Sequence, residues 1–140
     1  MLDTGALLLL HNKHNPQLLR DLRQATGDSE IVIPALVITE ASQASPLFQK
    51  RLEMILEIAE VEDVDHGVAT LAARCLREIE RAKCNQCAGF VGPSIVDAVV
   101  MAFAGRYDDA SNQVIVHTGD MRDMTMLRDA FFATIQLSPC

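Results

Sequence analysis

Short β-branched or apolar runs alternate with segments of helical periodicity along the whole chain, and this alternation limits the folds open to it more than any other feature. Glu30-Ile-Val-Ile33, Val61 to Val64, Gln113-Val-Ile-Val-His117 and Thr134-Ile-Gln-Leu137 have strand character, and Leu2-Asp3 supplies the end of a first strand. Between them, helices are expected over Thr4–Leu10, Asn15–Ala25, Pro34–Ala44, from Ser45-Pro46 to about Ala59, His66–Lys83, Pro93 or Ser94 to Tyr107, and Met121–Ala130. Such alternation predicts an α/β fold, a three-layer α/β/α sandwich whose central sheet is mainly parallel. Five Phe, one Tyr and no Trp make the core aliphatic, which suits parallel strands covered by helices on both faces.

At 140 residues, 49% of them hydrophobic, the chain is expected to form one domain over residues 1–140. Ala6-Leu-Leu-Leu-Leu10 is far shorter than the ~20 residues of a membrane span, and no basic residue precedes it. Without export features, Cys75, Cys84, Cys87 and Cys140 are expected to be reduced thiols, and the compartment to be cytoplasm. The net charge of −7 argues against a partner held on a broad basic surface. A cation bound among the acids would reverse that sign locally.

Four of the acids stand out: Asp3, Glu40 in Pro34-Ala-Leu-Val-Ile-Thr-Glu40, Asp97 in Ser94-Ile-Val-Asp97-Ala, and Asp120 in His117-Thr-Gly-Asp120. Each has a plain structural explanation or a functional one. Ser94-x-x-Asp97 before an apolar run is a capping box, and Asp120 with Asp123 three residues on suits a helix N-terminus. Glu40 is harder to place that way, because Leu36, Val37, Ala41 and Ala44 share its helical face. Asp97 has Val100 and Met101 at the same spacing. A carboxylate on a core-facing stripe has to be paired, protonated or bound to a metal. Asp3 and Asp120 follow strand-like segments directly, at the carboxyl edge of the sheet where α/β folds hold ligands. Converging there, the four acids would suit hard divalent cations such as Mg²⁺ or Mn²⁺. Two such ions activate a water and stabilise the leaving oxygen of a phosphodiester, so the chemistry implied is cleavage of a nucleic-acid backbone.

The chain resembles the PIN-domain ribonucleases, in particular the VapC-type toxins of bacterial toxin–antitoxin pairs. The resemblance rests on Asp3-Thr-Gly-Ala-Leu, Pro34 to Glu40, Val96-Asp97-Ala98 opening an apolar helix, and Val114-Ile-Val-His-Thr-Gly-Asp120 with Asp123 behind it. It implies that Asp3, Glu40, Asp97 and Asp120 are the catalytic, metal-binding acids, with Thr118 a supporting hydroxyl and Asp123 an auxiliary acid. It also implies a Mg²⁺- or Mn²⁺-dependent endoribonuclease that cleaves RNA, forms a homodimer and is neutralised by a cognate antitoxin. Three features depart from the family pattern: a first strand with only two residues before Asp3, Gly5 where many members have Ser, and Met121-Arg122 after Asp120. The alternative is a non-catalytic PIN-like binding module that keeps the acids for stability or docking.

Other signals carry less. Cys84-Asn-Gln-Cys87 has the spacing of half a zinc site, with no second pair at a suitable distance. His11 and His14 adjoin a polar turn and receive no role. Arg74, Arg77 and Arg81 form a basic stripe, but Glu78 and Glu80 lie beside them for local pairing. Position 5 is Gly, where a haloacid-dehalogenase-type phosphatase needs its second Asp, and no glycine-rich phosphate loop occurs.

Overall fold

A computed structural model of the chain describes residues 1–12, 30–44, 53, 55–83, 91–109 and 111–140. Within them the elements run α1 (Thr4–Asn12), β1 (Val32–Pro34), α2 (Ala35–Ala44), β2 (Glu60–Glu62), α3 (His66–Lys83), α4 (Ile95–Tyr107), β3 (Ile115–Thr118), α5 (Met121–Phe131) and β4 (Gln136–Pro139). The expected alternation is present, as a mixed α/β fold with short strands. The helix expected over 15–25 and the first part of that expected from Ser45, together with the Cys84–Cys87 pair, His14 and the side chain of His11, lie outside the described residues, while 53, 55 and 56 are helical.

Both strand pairs are parallel, β1 with β2 and β3 with β4. The N-terminal residues join them. Leu2 forms a parallel bridge with His117, and its own N–H donates to the Val32 carbonyl at 3.2 Å. On the other side Asp3 N–H donates to His117 O at 3.2 Å, and His117 N–H to Met1 O at 3.0 Å. Hydrogen bonds therefore run in the order β2, β1, Met1–Asp3, β3, β4.

Strand limits differ from the expected ones by one or two residues, for local reasons. Pro34 closes β1 instead of opening α2, since proline lacks only the donor and its fixed φ leads into the helix beginning at Ala35. β4 begins later than Thr134 because the chain is still turning there: Ile135 N–H donates to Phe132 O at 3.0 Å, and the Thr134 hydroxyl is held by Asp108. β2 begins at Glu60, whose N–H reaches Ile31 O at 2.8 Å.

α4 is the hub. Ala98 through Ala104 are all buried, so this helix is apolar on every side, and it packs against α2, α3, α5, β1 and β3. α3 is amphipathic by contrast, with Val68, Ala72, Cys75 and Ile79 inward at helical spacing. Its arginine stripe faces water, where Arg81 pairs with Glu78 at 2.9 Å. Two polar ties fasten α4: Arg106 to Asp65 at 2.6 Å, and the Tyr107 hydroxyl to Glu62 at 2.7 Å. Among the described residues, no helix is long and apolar enough to cross a membrane.

Candidate active site

Three of the four acids take part in capping a helix N-terminus, Asp3 and Asp120 as N-caps and Asp97 as the third helical residue behind the N-cap Ser94. Asp3 follows the bridge at Leu2 and caps α1: its Oδ1 accepts the Ala6 N–H at 2.7 Å, and its carbonyl accepts Leu7 N–H at 3.0 Å. Asp97 completes the capping box of α4, its Oδ2 accepting Ser94 N–H at 2.7 Å while Ser94 Oγ accepts Asp97 N–H at 3.1 Å. Asp120 caps α5 through the Asp123 N–H at 3.2 Å. The capping explanation therefore holds as geometry for Asp97 and Asp120 and extends to Asp3. Each N-terminus also lends partial positive charge to the carboxylate it carries.

Capping does not exhaust what these acids do, because they act on one another. Asp3 is only 4% exposed, and burial pushes its carboxyl above the ordinary value; hydrogen bonding from the Thr118 hydroxyl and the backbone amides of Ala6 and Gly119 draws it back, while the Asp97 charge pushes it up again. Asp97 is likewise raised, first by burial and further by the charges of Asp120 and Asp123, with Ser94 opposing. One mutually repelling cluster thus joins Asp3, Asp97, Asp120 and Asp123. The Asp3 charge also reaches the Cys140 thiol, which burial and that charge together push up to about 11.

Thr118 ties the cluster together. Its side chain is fully buried, and its hydroxyl serves Asp3 while accepting the Asp120 N–H at 2.9 Å. Asp123, its side chain 13% exposed, has Arg122 Nε 4.0 Å from Oδ1.

Glu40 joins at one remove. Val37 and Ala41 beside it are fully buried, but Glu40 lies at the border of that face and accepts a hydrogen bond from the Thr4 hydroxyl. Thr4 therefore answers the question that the apolar stripe raised. The sequence pattern had passed over Thr4; its signal was a hydroxyl directly after Asp3 at a helix start.

The donor set is all carboxylate and hydroxyl oxygen, which fits a hard divalent cation and not a soft one. Like-charged, partly desolvated carboxylates are also the setting that such a cation stabilises. Among the described residues, however, no group of three or more His, Cys, Asp or Glu side chains is gathered closely enough to enclose a metal ion. The residues fit a cation by chemistry, in an open arrangement.

No family model matches the sequence, and a search of curated proteins finds no relative. Solved structures do match in fold. A chain of VapBC2 from Rickettsia felis, in a crystal structure bound to a DNA fragment from its promoter, superposes with a TM-score of 0.69 at 15% identity, over 100% of this chain and 97% of that one. A chain of DNA-bound VapBC from Salmonella typhimurium gives 0.64 at 20% identity, over 99% and 96%. The expected resemblance to VapC-type proteins is thus found at the level of the fold.

Proposed function

We propose that this protein is a Mg²⁺- or Mn²⁺-dependent endoribonuclease, the toxin of a toxin–antitoxin pair, built as one three-layer α/β/α domain over residues 1–140. The observation that carries the reading is the cluster of Asp3 and Asp97, both raised by burial and by the repulsion of neighbouring acids, beside the turn that ends β3. Isolated caps need no such crowding. The fold shared with VapBC chains supports the same reading.

In this reading Asp3 and Asp97 are the inner ligands, Asp120 and Glu40 complete the set, and Asp123 adds negative charge behind Asp97. When bound, the cation supplies an activated water and neutralises charge on the scissile phosphate. Thr118 fixes the Asp3 carboxylate and the Asp120 backbone at once, so the two acids keep their spacing. Thr4 orients Glu40 toward the same end of α1. The substrate is RNA and the partner a cognate antitoxin, with the protein a cytoplasmic homodimer. DNA, bound in the similar complexes, is a poor partner for this chain itself, whose net charge of −7 opposes phosphate binding away from a cation.

The second reading, a non-catalytic binding module, draws on the capping geometry, which gives Asp3, Asp97 and Asp120 work to do without metal. One experiment separates the two. Purified protein is expected to cleave RNA with Mg²⁺ or Mn²⁺ and to stop in excess chelator, and Asp97→Asn, which keeps an oxygen for the cap, is expected to abolish cleavage. Cleavage that persists in chelator contradicts the mechanism, and metal binding without cleavage of any RNA favours the binding module.

A further inference from the structure

Gly5 occupies the second position of α1, in a run of Ala and Leu where helix propensity favours Ala by roughly 0.5–1 kcal/mol. The structure gives a reason for glycine. A Cβ placed on Gly5 would lie 2.9 Å from Gly119 N and 3.0 Å from Gly119 Cα, both backbone atoms, and 3.4 Å from Asp3 Oδ1. The backbone of α1 therefore rests directly on the turn that links β3 to Asp120. The constraint is one-sided, because a Cβ on Gly119 would meet Gly5 Cα at 3.4 Å, an ordinary contact. Across this contact the Gly119 amide faces the Asp3 carboxylate, and the next residue is Asp120.

We propose that Gly5 is a positioning residue: by lacking a side chain it lets the Thr118–Gly119–Asp120 turn close onto Asp3, which sets the separation of two acids that would hold the cation. The inference rests on the reading of these acids as a cation site. It also gives the departure from serine at this position a meaning of its own. A serine here would bring its Cβ into the Gly119 backbone before its hydroxyl could reach anything.

The test is a titration of wild type, Gly5→Ala and Gly5→Ser with Mn²⁺ alone, alongside thermal unfolding and the amide resonance of Gly119 measured without metal. Groups that orient metal ligands typically change affinity by about 10–100-fold when altered. Both variants are expected to unfold cooperatively, to show a displaced Gly119 amide, and to bind Mn²⁺ at least about tenfold more weakly. An unchanged amide with wild-type affinity overturns the inference, as does tighter binding by Gly5→Ser. A Gly5→Ala chain that cannot fold makes the contact a folding contact and also overturns it. If wild type binds no Mn²⁺, the cation reading falls, and the metal-free amide still reports whether Gly5 sets the turn.

Discussion

Thr118→Val is the substitution whose consequence follows most directly from the structure. Valine matches the shape of threonine in a fully buried place, so the packing stays and only the hydroxyl is lost. Two interactions go with it: the hydrogen bond to the Asp3 carboxylate and the acceptor for the Asp120 N–H at 2.9 Å. A hydrogen bond to a charged, buried group is worth about 1.5–3 kcal/mol, and losing the acceptor for a half-buried amide adds about 0.5–1 kcal/mol. The sum, about 2–4 kcal/mol, corresponds to a fall of about 8–16 °C in Tm for a chain of this size. Thr118→Ser keeps the hydroxyl and loses a buried methyl, which costs about 1 kcal/mol. The assay is urea unfolding of the three metal-free proteins at pH 7.5, where Asp3 depends most on its donors. A Thr118→Val protein within 0.5 kcal/mol of wild type, or a Ser variant less stable than the Val variant, refutes the assignment of Thr118 as the hydroxyl that joins Asp3 to Asp120 (the margin being about the size of a neutral surface change).

Two further outcomes follow from the same structure. Asp3 and Asp97 titrate above the carboxylate value of 3.8, so between 3.8 and their raised values the folded protein holds more protons than the unfolded chain. Their contribution is fully present below the unfolded value and is lost as pH rises through the folded ones. Metal-free protein is therefore expected to gain stability from these two groups as pH falls through their raised values toward 3.8, in a urea series where Asp3→Asn/Asp97→Asn loses that gain; a double variant with the wild-type slope contradicts it. Gly105→Ala in α4 puts a Cβ 2.5 Å from the Phe132 ring, which has to move, and a loss of about 1–3 kcal/mol in the same assay is expected, with neutrality showing that the ring is not seated there.

How far the sequence could be followed depended on whether a signal was local. The bounds of α3 at His66 and Lys83 were legible because an amphipathic helix writes its buried face at a fixed spacing, and Ser94-x-x-Asp97 announced the start of α4 because a capping box is a contact across three residues. The order of acids along the chain was legible in the same way, and it led to the fold now found in the similar structures. What the sequence did not display was tertiary. The tie from Thr4 to Glu40, the closeness of Gly5 to Gly119 and the reach of Asp3 to Cys140 join residues far apart in the chain, and none leaves a periodicity. Glu40 shows the difference best: helical spacing put it on an apolar face, while its real place at the border of that face depends on how α1 lies against α2. The strand ends shifted for a related reason, since a residue joins a ladder only when its neighbour's amides come into register.

The central claim is that the acids around Asp3 and Asp97 form a divalent-cation site, and a crystal soaked in Mn²⁺ tests it most directly. Anomalous density within coordination distance of carboxylate oxygens from both Asp3 and Asp97 is the predicted result, with Asp97→Asn crystals weakening or losing the peak. Density confined to other carboxylates, or none at a Mn²⁺ concentration that supports RNA cleavage in solution, would contradict the account.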